Sequence, residues 1–114
     1  MAACLFCRIV SGEIPASRVL EDERVVAFED INPQAPMHVL VVPKAHVATL
    51  NELDAGHDEL VGALVRTGAA IAKARGYAES GFRTVFNTNA GAGQTVFHIH
   101  LHVLGGRPLG WPPG

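Results

Sequence analysis

Histidine and branched apolar residues alternate in the segment His98-Ile99-His100-Leu101-His102-Val103-Leu104. Successive side chains of a β-strand point to opposite faces, so this pattern predicts a strand with three imidazoles on one face. Ile99, Leu101 and Val103 would then pack into the core on the other face. Neighbouring imidazoles would lie about 7 Å apart along the strand. The segment therefore predicts one strand, over residues 96–104, that carries chemistry on a single face.

Two kinds of ligand suit such a face. An H-x-H pair can bind zinc with a third ligand from elsewhere, but the outer two histidines would lie about 13 Å apart, too far for one metal ion to bind all three. A phosphoryl group fits the spacing better, because the middle imidazole, His100, can attack phosphorus while a neighbour hydrogen-bonds to the leaving group or to a non-bridging oxygen. Histidine suits both roles because its ordinary pKa of about 6.5 leaves much of it neutral near pH 7.

Further elements are predicted on both sides of this segment. Apolar residues at helical spacing indicate a short N-terminal helix, and strands are expected at 19–21, 25–28, 38–43 and 82–88. The prolines of residues 30–36 predict an ordered loop. Asp54 can cap one long helix whose apolar stripe runs from Leu60 to Ala72, with Gly76 as its C-cap. This order predicts an α+β domain with a mainly antiparallel sheet, one long helix and one short helix.

Composition limits the possible classes of protein. The chain has 114 residues, of which 48% are hydrophobic, so we expect a single domain over residues 1–114. Its formal net charge of −2 offers no surface for a long polyanion, so we expect no nucleic-acid partner. The apolar runs are shorter than a membrane span, and the first ten residues lack the features of a signal peptide. We therefore expect a cytoplasmic protein with no membrane partner.

The two cysteines, Cys4 and Cys7, stand at C-x-x-C spacing. In a protein expected to be intracellular, this spacing favours metal binding or reduced thiols over a structural disulfide. The two cysteines alone do not distinguish a metal site from reduced thiols.

The sequence resembles the histidine triad (HIT) superfamily, whose signature of three histidines alternating with apolar residues is matched in full by residues 98–104. Residues 5–9, 12–15 and 28–36, together with Gly105-Gly106-Arg107 and Trp111-Pro112-Pro113-Gly114, resemble the Hint branch in particular. This resemblance implies a five-stranded antiparallel sheet and a homodimer in which two such sheets join. It also implies hydrolysis of purine nucleoside phosphoramidates, such as adenosine phosphoramidate and nucleotidyl-lysine.

The resemblance also implies roles for individual residues. His100 matches the nucleophile and His102 the histidine that contacts phosphate and leaving group, with His98 as the first triad member and His38 as a supporting histidine. Asp30 and Ile31 match the pair that binds ribose and base, although a carboxylate in such a loop can also simply cap it. Phe6, Ile9 and Phe28 would wall the base pocket or serve as plain core. The predicted phosphate contacts are Asn87, Gly93, Gln94 and Thr95, where the glycine-rich residues alone would indicate only a flexible loop.

Some bacterial members of the family that this chain resembles bind zinc through a C-x-x-C pair and two histidines. Cys4, Cys7, His46 and His98 match that set. A Cys2His2 site would be closed and structural, so catalysis itself would need no cofactor.

Two other functions remain open on the sequence. A dinucleoside polyphosphate hydrolase of the same superfamily uses the same triad, although the Trp-Pro-Pro-Gly tail resembles the Hint branch instead. A nucleotide-binding regulatory protein, in which hydrolysis is incidental, would have the same residues.

Overall fold

The computed structural model describes residues 4–114 and contains one five-stranded antiparallel sheet. The strands are β1 (Arg18–Glu21), β2 (Val25–Glu29), β3 (Met37–Pro43), β4 (Phe82–Val85) and β5 (Leu101–Gly105), in the spatial order β1-β2-β3-β5-β4. The predicted fold class is confirmed. The first three residues of the predicted domain, where the segment considered for a signal peptide also begins, lie outside the described residues.

Two α-helices accompany the sheet, a short α1 (Leu5–Val10) and a long α2 (Asp58–Ala74), as predicted. Asp54 caps a single 3-10 turn, Ala55–His57, which runs directly into α2. Gly76 adopts a φ of +88° just beyond the helix, a conformation that glycine reaches without strain. Among residues 4–114, no helix is long and apolar enough to span a membrane.

The sheet separates two apolar clusters, because alternate residues of its central strands point to opposite faces. On the α2 side lie side chains from three strands and the helix: Val25, Ala27, Val39, Val41, Leu64, Ile71, Ile99, Leu101 and Val103. The other face carries a smaller cluster that includes α1: Phe6, Ile9, Val26, Phe28, Leu40 and Val42. The alternation predicted for Ile99, Leu101 and Val103 is therefore confirmed.

The predicted length of the histidine strand is wrong. β5 begins only at Leu101, so His98 and His100 precede it. The ladder with β3 ends at the pair Val41–Leu101, and β3 itself ends at Pro43, which has no N–H to donate. On the other side, β4 stops at Val85 opposite His102, so the strand predicted for 82–88 is also too long. Residues 98–100 lie outside the ladder, and the backbone N–H of Ile99 donates instead to the carbonyl oxygen of Val47 at 2.8 Å.

Candidate active site

A pocket of about 370 Å³ lies on the sheet face that carries α1. His100 and His102 both line it, and Leu40 of β3, which pairs with His102 in the ladder, lies between them and the apolar cluster. Its full lining comprises Leu5, Phe6, Ile9, Ile14, Pro15, Ala16, Phe28, Glu29, Asp30, Ile31, Leu40, Thr95, Val96, His100 and His102. A cleft of about 580 Å³ elsewhere, near Arg24 and Lys44, has no histidine or cysteine among its described lining residues. The chemistry-bearing pocket is therefore the smaller one.

His100 is held in one orientation at the edge of this pocket. Its Nδ1 lies 2.8 Å from the carbonyl oxygen of His98. A carbonyl only accepts, so Nδ1 carries the proton and the lone pair is on Nε2. The ring is 8% exposed and stands edge-on to Phe6, with ring centroids 4.9 Å apart. His100 thus combines a fixed ring with an unprotonated Nε2.

Burial lowers the pKa of His100, because the charged imidazolium loses hydration. Its hydrogen bond to the His98 carbonyl and the charge of Asp30 act in the opposite direction but are smaller. The net lowering favours the neutral ring. A neutral histidine is the form that can act as a nucleophile.

His102 is the end of a directed chain of hydrogen bonds. The backbone N–H of Gln34 donates to Nδ1 of His38 at 3.0 Å. The proton of neutral His38 must therefore be on Nε2, which lies 2.9 Å from Nδ1 of His102 and donates to it. His102 in turn carries its own proton on Nε2. It is thus a hydrogen-bond donor at Nε2, the nitrogen that His38 does not occupy.

The pKa of His102 is lowered to about 4, chiefly by burial and then by the positive charge that His100 and His38 would carry. Burial also lowers the pKa of His38, although the Asp30 carboxylate opposes this. Both rings are therefore neutral near pH 7. This agrees with the hydrogen-bond directions, since a second proton on either ring would put two N–H groups face to face.

The carboxylate of Asp30 contacts both its own loop and His38. Its Oδ1 accepts a hydrogen bond from the backbone N–H of Asn32 at 2.8 Å, which is the loop-capping role weighed for it. Its Oδ2 lies 3.3 Å from Nε2 of His38. The ligand atoms of Asp30, His38 and His102 are close enough to bind a cation. Metal binding at Nε2 of His38 would, however, require a proton on Nδ1, where the Gln34 N–H already points.

A second cluster gathers the four residues predicted to bind zinc. The ligand atoms of Cys4, Cys7, His46 and His98 all lie within 4.8 Å of one another. Nδ1 of His98 lies 3.4 Å from Sγ of Cys4 and 3.2 Å from Nδ1 of His46. Sγ of Cys7 lies 3.2 Å from Nδ1 of His46.

These distances match those of a tetrahedral zinc site. With Zn–N of about 2.0 Å and Zn–S of about 2.3 Å, tetrahedral geometry places two nitrogen ligands about 3.3 Å apart, nitrogen and sulfur about 3.5 Å apart and two sulfurs about 3.8 Å apart. His98 is fully buried, and its Nε2 donates to the carbonyl oxygen of Pro43 at 2.7 Å, which leaves the lone pair on Nδ1. The residues therefore fit a zinc ion. Both ring nitrogens of His98 are engaged in this cluster, and its ring does not line the pocket.

The glycine-rich loop contributes less to the pocket than expected. Only Thr95 of the predicted phosphate contacts lines it. Gln94 is buried, and its side chain accepts from Asn89 N within the loop and donates to Ala48 O, which ties the loop to the segment after β3. The backbone N–H groups of Gly93 and Gln94 donate to carbonyls of the same loop. Asn87 is half-buried and is not among the lining residues.

The predicted base wall has two parts. Phe6, Ile9 and Phe28 line the pocket and also belong to the smaller core cluster, so their role as core is confirmed and their contact with a base stays a prediction. Ile31 projects fully into solvent at the pocket rim, with an exposure of 101%. It offers an apolar surface that a flat ring could cover.

Sequence reasoning missed the backbone amide of Gln34, which fixes the proton of His38. No residue type marks such a contact, and only the loop length between Asp30 and His38 could have pointed to it. It also missed Ile14, Pro15 and Ala16, which lie after α1 and close one side of the pocket.

The chain is similar in sequence and in structure to several known proteins. The family model described as the HIT domain matches residues 11–109. The chain is 46% identical over 106 residues to the purine nucleoside phosphoramidase of Escherichia coli (strain K12), covering 93% of this chain and 89% of that protein. It is 45% identical over 112 residues to the 14 kDa zinc-binding protein of Zea mays, covering 96% and 87%. The crystal structure of a HIT family hydrolase from Legionella pneumophila Philadelphia 1 superposes with a TM-score of 0.96 at 52% identity, covering 97% and 99% of the two chains.

Proposed function

This chain belongs to the HIT domain family, and on that premise we propose that it hydrolyses purine nucleoside 5′-phosphoramidates at the α-phosphate. Adenosine phosphoramidate and nucleotidyl-lysine represent the substrate class. The observation that carries the proposal is the buried, neutral His100, whose Nδ1–H is bonded to a carbonyl and whose Nε2 is unprotonated. The 46% identity to a purine nucleoside phosphoramidase supports the choice of substrate.

The proposed reaction has two displacements at phosphorus. The Nε2 lone pair of His100 bonds to the α-phosphorus, and the bond from phosphorus to the substrate amine breaks. The departing amine takes up one proton from solvent. Water then attacks the phosphorus, returns one proton to solvent and cleaves the bond to Nε2, which releases a nucleoside monophosphate and restores neutral His100.

His102 and His38 assist from one side of the pocket. The Nε2–H of His102 donates a hydrogen bond to a non-bridging oxygen, where negative charge develops, or to the leaving nitrogen, which becomes more basic as its bond to phosphorus breaks. His38 acts on His102 through their hydrogen bond of 2.9 Å. His98 contributes its carbonyl oxygen, which orients the ring of His100.

The nucleoside occupies the apolar end of the pocket in this proposal. Phe6, Ile9, Phe28 and Ile31 contact the base, and the Asp30 carboxylate accepts hydrogen bonds from the ribose hydroxyls. Both roles are supported by the position of these residues along the same pocket as His100.

The phosphate lies near Thr95, whose hydroxyl can donate to it. Gly93 and Gln94 act mainly by holding the loop, a smaller role than the resemblance implies, because their N–H groups are already bonded within it. Asn87 is proposed as a further phosphate contact.

We also propose that Cys4, Cys7, His46 and His98 hold a zinc ion. Ligand spacing of 3.2 to 3.5 Å and the donor set support this. Four protein ligands leave no open position, so the ion would tie α1 to the segment before β5 without contacting substrate.

A homodimer through the outer edge of β4 is the assembly we propose. An edge strand leaves backbone N–H and C=O groups unpaired, which favours pairing with another strand. The other edge, β1, is interrupted by an irregularity between Arg18 and Leu20 and bears Arg18 and Glu21. β4 is the more regular of the two edges.

Mass spectrometry of the protein quenched during turnover of adenosine phosphoramidate tests the proposed function. We expect a mass increase of one nucleotidyl group on the peptide that contains His100, and none in the His100→Asn variant. A faster turnover of a dinucleoside polyphosphate than of the phosphoramidate would favour the polyphosphate hydrolase instead. Full complementation of a deletion strain by an inactive His100→Gly variant would favour the regulatory protein.

A further inference from the structure

The segment Gly105-Gly106-Arg107 begins at the last residue of β5 and lies outside the pocket, yet it contacts the loop that supports the histidines. Nε of Arg107 donates to the carbonyl oxygen of Gln34 at 2.8 Å. Its Nη1 donates to the carbonyl oxygen of Pro108 at 3.0 Å. The guanidinium therefore connects the chain after β5 to the loop before β3.

The two glycines allow the chain to pass close enough for this contact. A Cβ on Gly105 would lie 2.9 Å from Cε of Met37. Gly106 has a φ of +97°, and a Cβ there would lie 2.8 Å from Cβ of Pro36. Met37 Cε is the end of a flexible side chain and can shift, whereas the ring of Pro36 cannot, so the turn that brings Arg107 to Gln34 depends most on Gly106.

Gln34 is the residue that sets the proton on His38. Its carbonyl oxygen accepts from Arg107, and its backbone N–H donates to Nδ1 of His38. Its side-chain amide donates to Asn32 O at 2.9 Å, and the Asn32 N–H donates to Asp30. Hydrogen bonds within the loop thus connect Gln34, Asn32 and Asp30, and Arg107 contacts the same loop at Gln34.

We propose that Arg107 is a positioning residue, which holds Gln34 against His38 and thereby keeps His102 as a hydrogen-bond donor at Nε2. The effect on turnover rests on the proposed function, whereas the effect on the ring protons does not. Arg107 does not line the pocket, so it acts only through Gln34 and His38.

The physical reason is the choice of ring nitrogen. Without the Gln34 N–H, neutral His38 can carry its proton on either nitrogen, and a proton on Nδ1 turns its Nε2 into an acceptor. His102 would then place its own proton on Nδ1 to meet it. In that state Nε2 of His102 has no proton to donate. Turnover falls in proportion to the fraction of molecules in that state, while nucleotide binding changes little.

The test combines ring 15N chemical shifts with kinetics on the full-length protein. Histidine 15N spectra distinguish a protonated ring nitrogen from an unprotonated one, independently of activity. We expect wild-type His38 and His102 to show a proton on Nε2. In Arg107→Met the shifts of both rings should move most of the way toward those of a ring with its proton on Nδ1, and kcat for adenosine phosphoramidate should fall about tenfold with KM within about twofold.

Arg83→Met is the matched control. Arg83 donates to the carbonyl oxygens of Leu109 and Gly110, so it holds the same tail but does not contact Gln34. This control should leave both ring spectra and kcat unchanged. Arg107→Lys retains a donor and should recover part of the wild-type spectrum, and it replaces Arg107→Met if that variant does not fold.

Unchanged ring spectra in both Arg107 variants would overturn the proposal, as would an equal change in Arg83→Met. If the spectra change only in Arg107 variants but the wild-type protein does not cleave phosphoramidates, the positioning role stands and the proposed function fails.

Discussion

The carbonyl oxygen of His98 accepts the Nδ1–H of His100 at 2.8 Å, while the ring of the same His98 lies 3.4 Å from the thiol of Cys4. One residue therefore belongs to the cysteine cluster through its side chain and to the pocket through its backbone. Anything that shifts His98 also turns the ring of His100, because that carbonyl fixes its orientation.

Replacing His100 by alanine should abolish catalysis. Without Nε2 no bond to phosphorus forms, so we expect kcat for adenosine phosphoramidate to fall by at least about a thousandfold. The lost contact with Phe6 should lower the free energy of unfolding by about 1–3 kcal/mol, which leaves the protein folded. Steady-state kinetics and urea unfolding measure the two effects. His57→Ala, remote from the pocket, is the control, and substantial residual activity in His100→Ala would refute His100 as nucleophile.

The purified protein should contain about one equivalent of zinc per chain. Cys7→Ser should lose most of it, because the serine hydroxyl is a poor zinc ligand, and chelation should lower the Tm of the wild type but not of the variant. Elemental analysis and thermal unfolding give the two readouts. Less than about a tenth of an equivalent in the wild type would exclude the site.

Stability should decrease as the pH falls from about 6.5 to about 4. An unfolded histidine has its ordinary pKa of about 6.5, whereas that of folded His102 is lowered to about 4. Between these values the unfolded chain binds a proton that the folded chain does not, so acid favours unfolding. His38 and His100, whose pKa values are also lowered, act in the same direction.

The contribution of His102 can be isolated with His102→Gln. Urea unfolding at about pH 7.5 and about pH 4.5 should show a smaller loss of unfolding free energy in this variant than in the wild type. The zinc ligands are the same in both proteins, so their acid sensitivity cancels in the comparison. Equal losses would contradict a lowered pKa for His102.

Gly106→Ala should destabilise the protein more than Gly12→Ala. Both glycines have positive φ, at +97° and +84°, but only Gly106 has atoms in the way of a Cβ. The shared backbone strain is worth about 1 kcal/mol, and the contact with Pro36 adds about 1–3 kcal/mol. The difference in urea unfolding free energy measures the contact alone. Equal values for the two variants would show that the chain relaxes there.

Light scattering should give a mass twice the 12.1 kDa of the chain. Replacing Thr84, an exposed residue of β4, by proline should shift the mass toward the monomer, because proline cannot donate to a strand ladder. The same replacement at Leu20 in β1 should leave the dimer intact. A monomeric wild type, or a dimer lost only with Leu20→Pro, would rule out assembly through β4.

The spacing of apolar residues predicted the helices and strands, because side chains that contact the core must recur on one face of each element. Leu64 and Ile71 of α2 and the alternating Ile99, Leu101 and Val103 all contact one core. Val65, predicted on the same helical stripe, is exposed instead. Strand ends were less predictable. The ladder stops where Pro43 and Val85 end the neighbouring strands, and residues 98–104 by themselves carry no sign of this.

The candidate site was predictable where side chains act and not where backbone acts. The four metal-ligand types at Cys4, Cys7, His46 and His98 are visible in the sequence, and the fold brings them together. The carbonyl of His98 and the amide of Gln34 are present in every residue type, so only coordinates reveal that they orient His100 and His38. Gln94 is an exception, because its side-chain oxygen accepts from the backbone of Asn89 and the residue type alone did not distinguish this bond from a phosphate contact.

Adjacent residues of α1 have different roles: Phe6 lines the pocket, whereas Cys7 belongs to the cluster of candidate metal ligands. This helix, Leu5–Val10, precedes residue 11, where the match to the family model starts. Under the proposed function, part of the surface that contacts the base thus belongs to a helix outside the family match, which Cys7 holds in place. A protein engineer who wishes to change base preference can replace Leu5 and Ile9 and keep both Cys7 and Phe6, whose ring contacts His100, so that the histidines retain their native surroundings.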